Sequence, residues 1–424
     1  MRTMKDSGIE WIGQIPQGWN VQRGKYAFNV LSGFAFPSSD FSTNEGIPLI
    51  RIRDITSGVT ETFFKGEYSE EFLVDDGDLL IGMDGDFGIR VWDNGQALLN
   101  QRCCKIIANE GNSLKYLYYV LPYELKQIND LAFFTTVKHL STEDLALVNV
   151  PLPSTDEQKR IAEYLDAKCA EIDALIAAKE KTNALLKEQR QSIIYEAVTK
   201  GLNPDVPMKD SGIEWIGEIP ENWGVAALKR VATPSTGMTP SKANPQYWEG
   251  DIPWFSSKDI KADYLFDSED HISRQAVEEC GLAVHNENSV VFCARSGILR
   301  HTFPVAVLKC EGTINQDLRV LATSTAIDPE FLMYYLRGMN NTIVTLYQKV
   351  GATVESIEME WLLYLPVVLP PIEEQKQISG YIVARCNEID GQIAANEISV
   401  QKLKEYRQSV IYEAVTGKIE IYER

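Results

Sequence analysis

The stretches EQKRIAEYLDAKCAEIDALI (residues 157–176) and EQKQISGYIVARCNEIDGQI (residues 374–393) decide how this chain of 424 residues is organised. Each lies near the start of a longer segment, 154–200 and 371–417, in which apolar residues recur at steps of three and four. The first segment places them at Ile161, Leu165, Cys169, Ile172, Ile176, Leu186, Ile193 and Ala197. The second places them at Ile378, Ile382, Cys386, Ile389, Ile393, Val400, Leu403, Val410 and Ala414. Such spacing is a heptad seam. Pro153 and Pro371 stand just before the segments, and acidic residues fill the first turns, where the helix dipole favours them. The pattern predicts two helices of about 46 residues, each about 70 Å long. Helices of that length rarely stand alone, and the simplest partner for each is its own repeat.

Outward from the helices the repetition continues. Both segments close on YEAVT, at Tyr195–Thr199 and Tyr412–Thr416. Residues 4–19, MKDSGIEWIGQIPQGW, return at 208–223 as MKDSGIEWIGEIPENW, differing only at Gln14, Gln17 and Gly18. The chain is one design written twice: a leader, a divergent block and a long helix. The repeat offset is 204 at the leaders and 217 at the helices, so the second middle block is 13 residues longer. The expected divisions are 1–153, 154–200, a linker 201–207 (GLNPDVP), 208–370 and 371–424.

Landmarks survive in the divergent middles. Gly46-Ile47-Pro48 with Asp54-Ile55 answers Asp251-Ile252-Pro253 with Asp259-Ile260. Leu31-Ser32-Gly33 answers Ser235-Thr236-Gly237, Asn100-Gln101 answers Asn315-Gln316, and Thr136-Val137 answers Thr353-Val354. The texture is strand-rich. Pro48–Ile55 alternates, which predicts a strand with Leu49, Arg51 and Arg53 on one side. Leu79–Ile81 and Val290–Phe292 read as further strands, Lys115–Leu121 and Pro329–Leu336 as short helices. The fold class is α+β, each middle having a mixed or antiparallel sheet.

Composition bounds the function. The net charge is −19 and hydrophobic content is 44%. An acidic chain is not a general nucleic-acid binder, because phosphate contacts need Lys and Arg. Any DNA contact requires a local basic strip or help from a partner. No apolar run is long enough to cross a membrane and MRTMKDSG is no signal peptide, so the expected compartment is the cytoplasm. The seven cysteines, with no CxxC pair, read as reduced and mostly buried thiols. There is no GxGxxG after a strand, no GxxxxGK[ST] loop and no amino-methyltransferase Asn-Pro-Pro-aromatic box. His139, His271, His285 and His301 lack metal-ligand spacing. Asp75-Asp76-Gly77-Asp78 and Asp84-Gly85-Asp86 read as turns rather than cation sites. The chain is expected to be non-catalytic.

The leader DSGIEWIGxIPxxW resembles one found in specificity subunits of type I restriction–modification systems. So do Leu152-Pro153 with Glu157-Gln158 and Ile161, Leu369-Pro370 with Glu374-Gln375 and Ile378, and the run TGMTPSKANPQYWEGDIPWFSSKDI from Thr236 to Ile260. The first middle departs from the Gly-Thr-Pro form with GFAFPSSDF from Gly33. The resemblance implies two similar target-recognition domains separated by two helices that pair as an antiparallel coiled coil, with an internal pseudo-two-fold repeat. It implies that each domain reads one half of a split site in double-stranded DNA. It also implies partners: two modification subunits using S-adenosylmethionine, and, when present, restriction subunits using ATP and Mg. An antiparallel pair would make the helices a ruler for the gap between half-sites. The competing reading is an acidic coiled-coil adaptor without DNA specificity, supported by the charge alone.

Candidate DNA contacts follow from residue chemistry. Arg51 and Arg53, on one strand face, suit guanine in the major groove. Arg90 and Lys138 in the first block, and Lys258, Arg295 and Arg300 in the second, are phosphate or base candidates. Gln101 and Gln316 occupy matching places near Arg102 and Arg319; glutamine reads adenine, but the match between blocks points to a shared structural or backbone role. Trp248 and Trp254 read as core or loop anchors, Trp11 and Trp215 as leader residues packing on the frame.

Overall fold

The computed structural model describes residues 2–131, 138–349 and 353–421; Thr136-Val137 lies outside them. The two predicted helices are continuous over Thr155–Lys200 and Ile372–Val415. The chain divides into two compact units, Met1–Lys179 with Ile398–Arg424, and Glu180–Glu397. Each long helix therefore gives its first part to one unit and its last part to the other.

Within each unit the helix segments pair antiparallel. In the first, Ile172 and Ile176 pack with Val400 and Leu403, and Arg407 meets Asp173 at 2.9 Å. In the second, Asn396 donates to Asn183 at 2.9 Å, Arg190 meets Asp390 at 3.2 Å, and Ile194 and Val198 join the core containing Ile378 and Ile382. Numbers rise along one helix as they fall along the other. One correction concerns the seam beyond Ile176. A straight helix drifts from a strict heptad, so Ile194 rather than Ile193 is buried, Leu186 is half-buried, and Asn183 takes a seam place.

The EQ motif anchors each helix to the globular middle that precedes it. Gln158 is buried; its amide donates to Pro153 O and Asn112 Oδ1, and its oxygen accepts from Ser113 N. Gln375 repeats this with Pro370 O, Ala326 O and Asp328 N. Each leader is a hairpin, Met4–Asp6 with Gln14–Pro16 and Met208–Asp210 with Glu218–Pro220. The YEAVT tyrosines dock them: Tyr412 donates to Trp11 O and Tyr195 to Trp215 O. Trp19 and Trp223 are buried beneath. Trp11 stacks on Tyr123, with ring centroids 5.4 Å apart, whereas Trp215 stays partly exposed.

The two middles share one topology. In the first, an antiparallel sheet runs Ile89–Val91, Leu79–Gly82, Cys103–Ala108, Phe28–Ser32. In the second the matching order is Val305–Leu308, Val290–Cys293, Leu318–Thr323, Ala232–Thr236, with Tyr264–Leu265 added in parallel at the edge. A second sheet in each is built on a parallel pair, Ile47–Ile50 with Ala97–Leu99 and Ile252–Phe255 with Thr313–Ile314. The alternating residues of these strands fill the cores, including fully buried Leu79, Ile81, Val290 and Phe292. The helices Leu114–Leu131 and Pro329–Gly338 cover them. All seven cysteines are free thiols, and burial pushes Cys104 up to about 12. Among the described residues no helix is long and apolar enough to cross a membrane.

Candidate nucleic-acid interface

Two close backbone approaches build the same scaffold in both middles. Gly33 passes over the backbone of Asn100, where a Cβ would sit 2.1 Å from its carbonyl oxygen. Gly237 passes equally close over Ile314, at 1.8 Å. Only glycine fits either place. Phe34 N then donates to Leu99 O and Met238 N to Ile314 O. The Asn-Gln landmark is the turn beneath. Asn100 Oδ1 accepts from Gln101 N, and Asn315 Oδ1 accepts from Asp317 N and Leu318 N. The shared backbone duty thus falls on the asparagines, leaving Gln101 and Gln316 exposed. Gln316 accepts from Thr239 Oγ1.

Arg51 and Arg53 do not lie on one strand face. The strand ends at Ile50, and Ile52–Ser57 is a helix. Asp54 causes the change, its carboxylate accepting Arg51 N–H at 2.9 Å across the first turn. Asp259 does the same for Ser256 N at 2.7 Å, which accounts for the paired aspartates. Arg51 and Arg53 still come together, lining an open concavity of about 850 Å³ with Phe41, Glu61 and Phe63. Lys258 occupies the place equivalent to Arg53.

Acids accompany most of the candidate cations. Arg53 lies 3.4 Å from Asp54 and 3.8 Å from Glu61, Arg90 2.8 Å from Asp93, and Arg102 3.6 Å from Asp84. Lys258 lies 3.0 Å from Glu269 and 2.9 Å from Asp270, whose carboxylates hold its ammonium above the usual lysine range. Arg300 pairs with Glu355, which is held below the usual carboxylate range. Arg319 is spent on the frame: it donates to Gln316 O and Leu318 O, and burial lowers its pKa. Lys138 supplies its carbonyl to Gly85 N. Arg295 is exposed, with no side-chain partner among the described residues. Sequence reasoning read Asp84 only as a turn residue and missed Glu61, Glu269 and Asp270 as partners of the basic positions. Each lies too far along the chain from the cation it meets for any local pattern to signal the pair.

The remaining singled-out residues are structural. Trp254 donates to Met238 O and Trp248 to Ser241 O, with their rings edge to face at 5.0 Å. Asp78 caps its own turn through Asp75 N and pairs with Lys105, and Asp76 accepts from Gly95 N. No group of His, Cys, Asp and Glu among the described residues could hold a metal.

The family model for the type I restriction modification DNA specificity domain matches residues 16–187 and again 220–395. The type I restriction enzyme EcoBI specificity subunit of Escherichia coli is 30% identical over 98% of this chain and 89% of its own length. The MjaIX specificity subunit of Methanocaldococcus jannaschii is 23% identical over 97% and 96%. Among solved structures, a chain from work on complex assembly and conformational transition of the type I R-M system superposes with a TM-score of 0.74 at 18% identity, covering 96% of this chain and 99% of that one. The HsdS subunit from Thermoanaerobacter tengcongensis gives 0.51 at 18% identity, covering 96% and 98%. The scaffold occurs twice and so does the matched domain, and the chain belongs to the family of type I restriction–modification DNA specificity subunits.

Proposed function

We propose that residues 20–150 and 224–366 each read one half of a split site in double-stranded DNA, and that the paired helices set the gap between the halves. The carrying observation is one scaffold, held twice by the same backbone bonds, with different exposed side chains. The chain itself performs no chemistry in this reading. It works in the cytoplasm with two modification subunits, which bind S-adenosylmethionine and methylate the DNA. Restriction subunits, where present, supply ATP- and Mg-dependent cleavage. The acid-paired cations and the charge of −19 support weak DNA binding by the chain alone, with the partners supplying the missing positive surface. The adaptor reading has no support beyond charge, since the matched family model is a DNA specificity domain.

The test is selection from randomised duplexes by the full chain with its modification subunits, at stated salt. Two short blocks at a fixed gap are expected. One heptad inserted after Lys179 and another after Asn396 keeps the seam in phase. It adds about 10.5 Å of helix rise, hence at most about three base pairs of gap, with both half-sites unchanged. A single continuous site, or a gap indifferent to the insertion, would refute the proposal.

A further inference from the structure

We infer that one corner of each reader selects bases: Asp84, Arg102 and Lys138 in the first, and Arg295, Asp317 and Glu355 in the second. The inference rests on the split-site reading above and narrows it to six side chains.

The corners share a backbone. Met83 N donates to Arg102 O at 2.9 Å, and Ala294 N to Asp317 O at 2.8 Å. Gly85 N donates to Lys138 O at 3.2 Å, and Ser296 N to Glu355 O at 3.0 Å. Asp84 forms an isolated antiparallel bridge with His139, and Arg295 forms one with Ser356. These bonds make 84 equivalent to 295, 102 to 317, and 138 to 355. At all three places the sign of the charge is reversed.

Neither packing nor a preserved ion pair explains the reversal. None of the six residues belongs to the buried core. In the first reader Asp84 takes both Arg102, at 3.6 Å, and His139 Nδ1, at 2.7 Å. In the second, Glu355 is held by Arg300, from a 3-10 turn (Gly297–Arg300) in the connection between Val290–Cys293 and Val305–Leu308, whereas the first reader's shorter connection between Leu79–Gly82 and Ile89–Val91 has no such helical turn; Arg295 points free of side-chain partners among the described residues. A constant scaffold with inverted heads is what two readers of different sequences require. Phosphate binding would demand cations at these places in both readers, which Asp317 and Glu355 contradict. Base edges differ in the matching sense: carboxylates accept from the amino group of cytosine, and guanidinium groups donate to guanine O6 and N7. Gln101 and Gln316, next to these corners in the chain, extend the same surface.

The experiment uses the full chain with its modification subunits on duplexes randomised through both half-sites. Exchanging the first corner (Asp84→Arg, Arg102→Asp, Lys138→Glu) is expected to change base preference within one half-site and leave the other intact. Three reversals together can unfold the corner, so the single charge-removing Asp84→Asn, which is isosteric, and Arg295→Gln, at an exposed position, are run in parallel. Each is expected to lose about tenfold or more of the preference at a position of its own half-site only. Unchanged selection by these two variants, or affinity lost equally across all sequences, overturns the inference. The wild-type complex separates this from the broader reading: if it selects no split site the proposed function fails, whereas a split site with indifferent variants sinks only the corner.

Discussion

The helix pair is built differently in the two units. In the first it closes on an apolar layer of Ile172, Ile176 and Val400 with Leu403 half-buried beside them. In the second the place equivalent to Val400 is taken by Asn183, buried and bonded to Asn396 at 2.9 Å. The flanking charges do not differ: Arg407 with Asp173 in one unit and Arg190 with Asp390 in the other are repeat-equivalent pairs. The lesson is that duplication preserved the electrostatic frame while one seam layer was made polar. A polar residue in a seam lowers stability and fixes register and partner. Two helices descended from one are liable to pair with copies of themselves, and the asparagine pair exists only when different helices meet.

The largest expected effect sharpens the apolar side. Ile172→Ala removes a side chain that is 2% exposed and leaves a cavity, at a cost of about 2–4 kcal/mol. Native-state hydrogen exchange, read segment by segment, should show protection lost over 165–179 and largely kept over 183–197. Equal loss in both segments would mean that the helix responds as one block and that the contrast between layers has no energetic content.

The polar side has a smaller, signed effect. Asn183→Val installs the residue that the repeat carries at 400, at a cost of about 1 kcal/mol for the lost hydrogen bond. Adding Asn396→Leu should restore or exceed wild-type stability, because an apolar layer is the stronger one. The same double variant should form some two-chain species on size-exclusion chromatography. A double variant that is both less stable than the single one and strictly monomeric would show that the pair acts as a plain stabilising contact.

The helices and the duplication were legible because both are periodic signals that survive surface divergence. Locating Asn183 was not, since periodicity marks apolar residues and a polar seam residue looks like a break. Pro48–Ile55 misled for a related reason. Its alternation suits a strand, yet Asp54, three residues beyond Arg51, carried a helix-start signal that won because its carboxylate satisfies an otherwise unpaired N–H. The candidate cations were legible as residue types. Their partners were not, because Arg102 finds Asp84 and Arg300 finds Glu355 only after distant strands are paired. The charge reversal at the corners needed those backbone bonds to establish which residues correspond.

The smallest effects belong to the charge pairs, and their equality is the point. Asp173 and Asp390 are half exposed, at 51% and 52%, against arginines at 30% and 24%. Neither Arg407 Nε nor Arg190 Nε has an aligned hydrogen bond, so each attraction is mainly that of two nearby charges. Pairs this open contribute on the order of 0.5–1 kcal/mol and weaken as salt screens them. Asp173→Asn and Asp390→Asn should therefore cost nearly the same, within about 0.5 kcal/mol, and add without coupling because they share no partner. Both costs should shrink when exchange is repeated in high salt. A difference beyond about 1 kcal/mol, persisting in salt, would show that the polar layer beside Arg190 changes what its ion pair is worth. The seam and the charges would then be one device, and the preserved frame inferred from the repeat would not be independent of the layer it flanks.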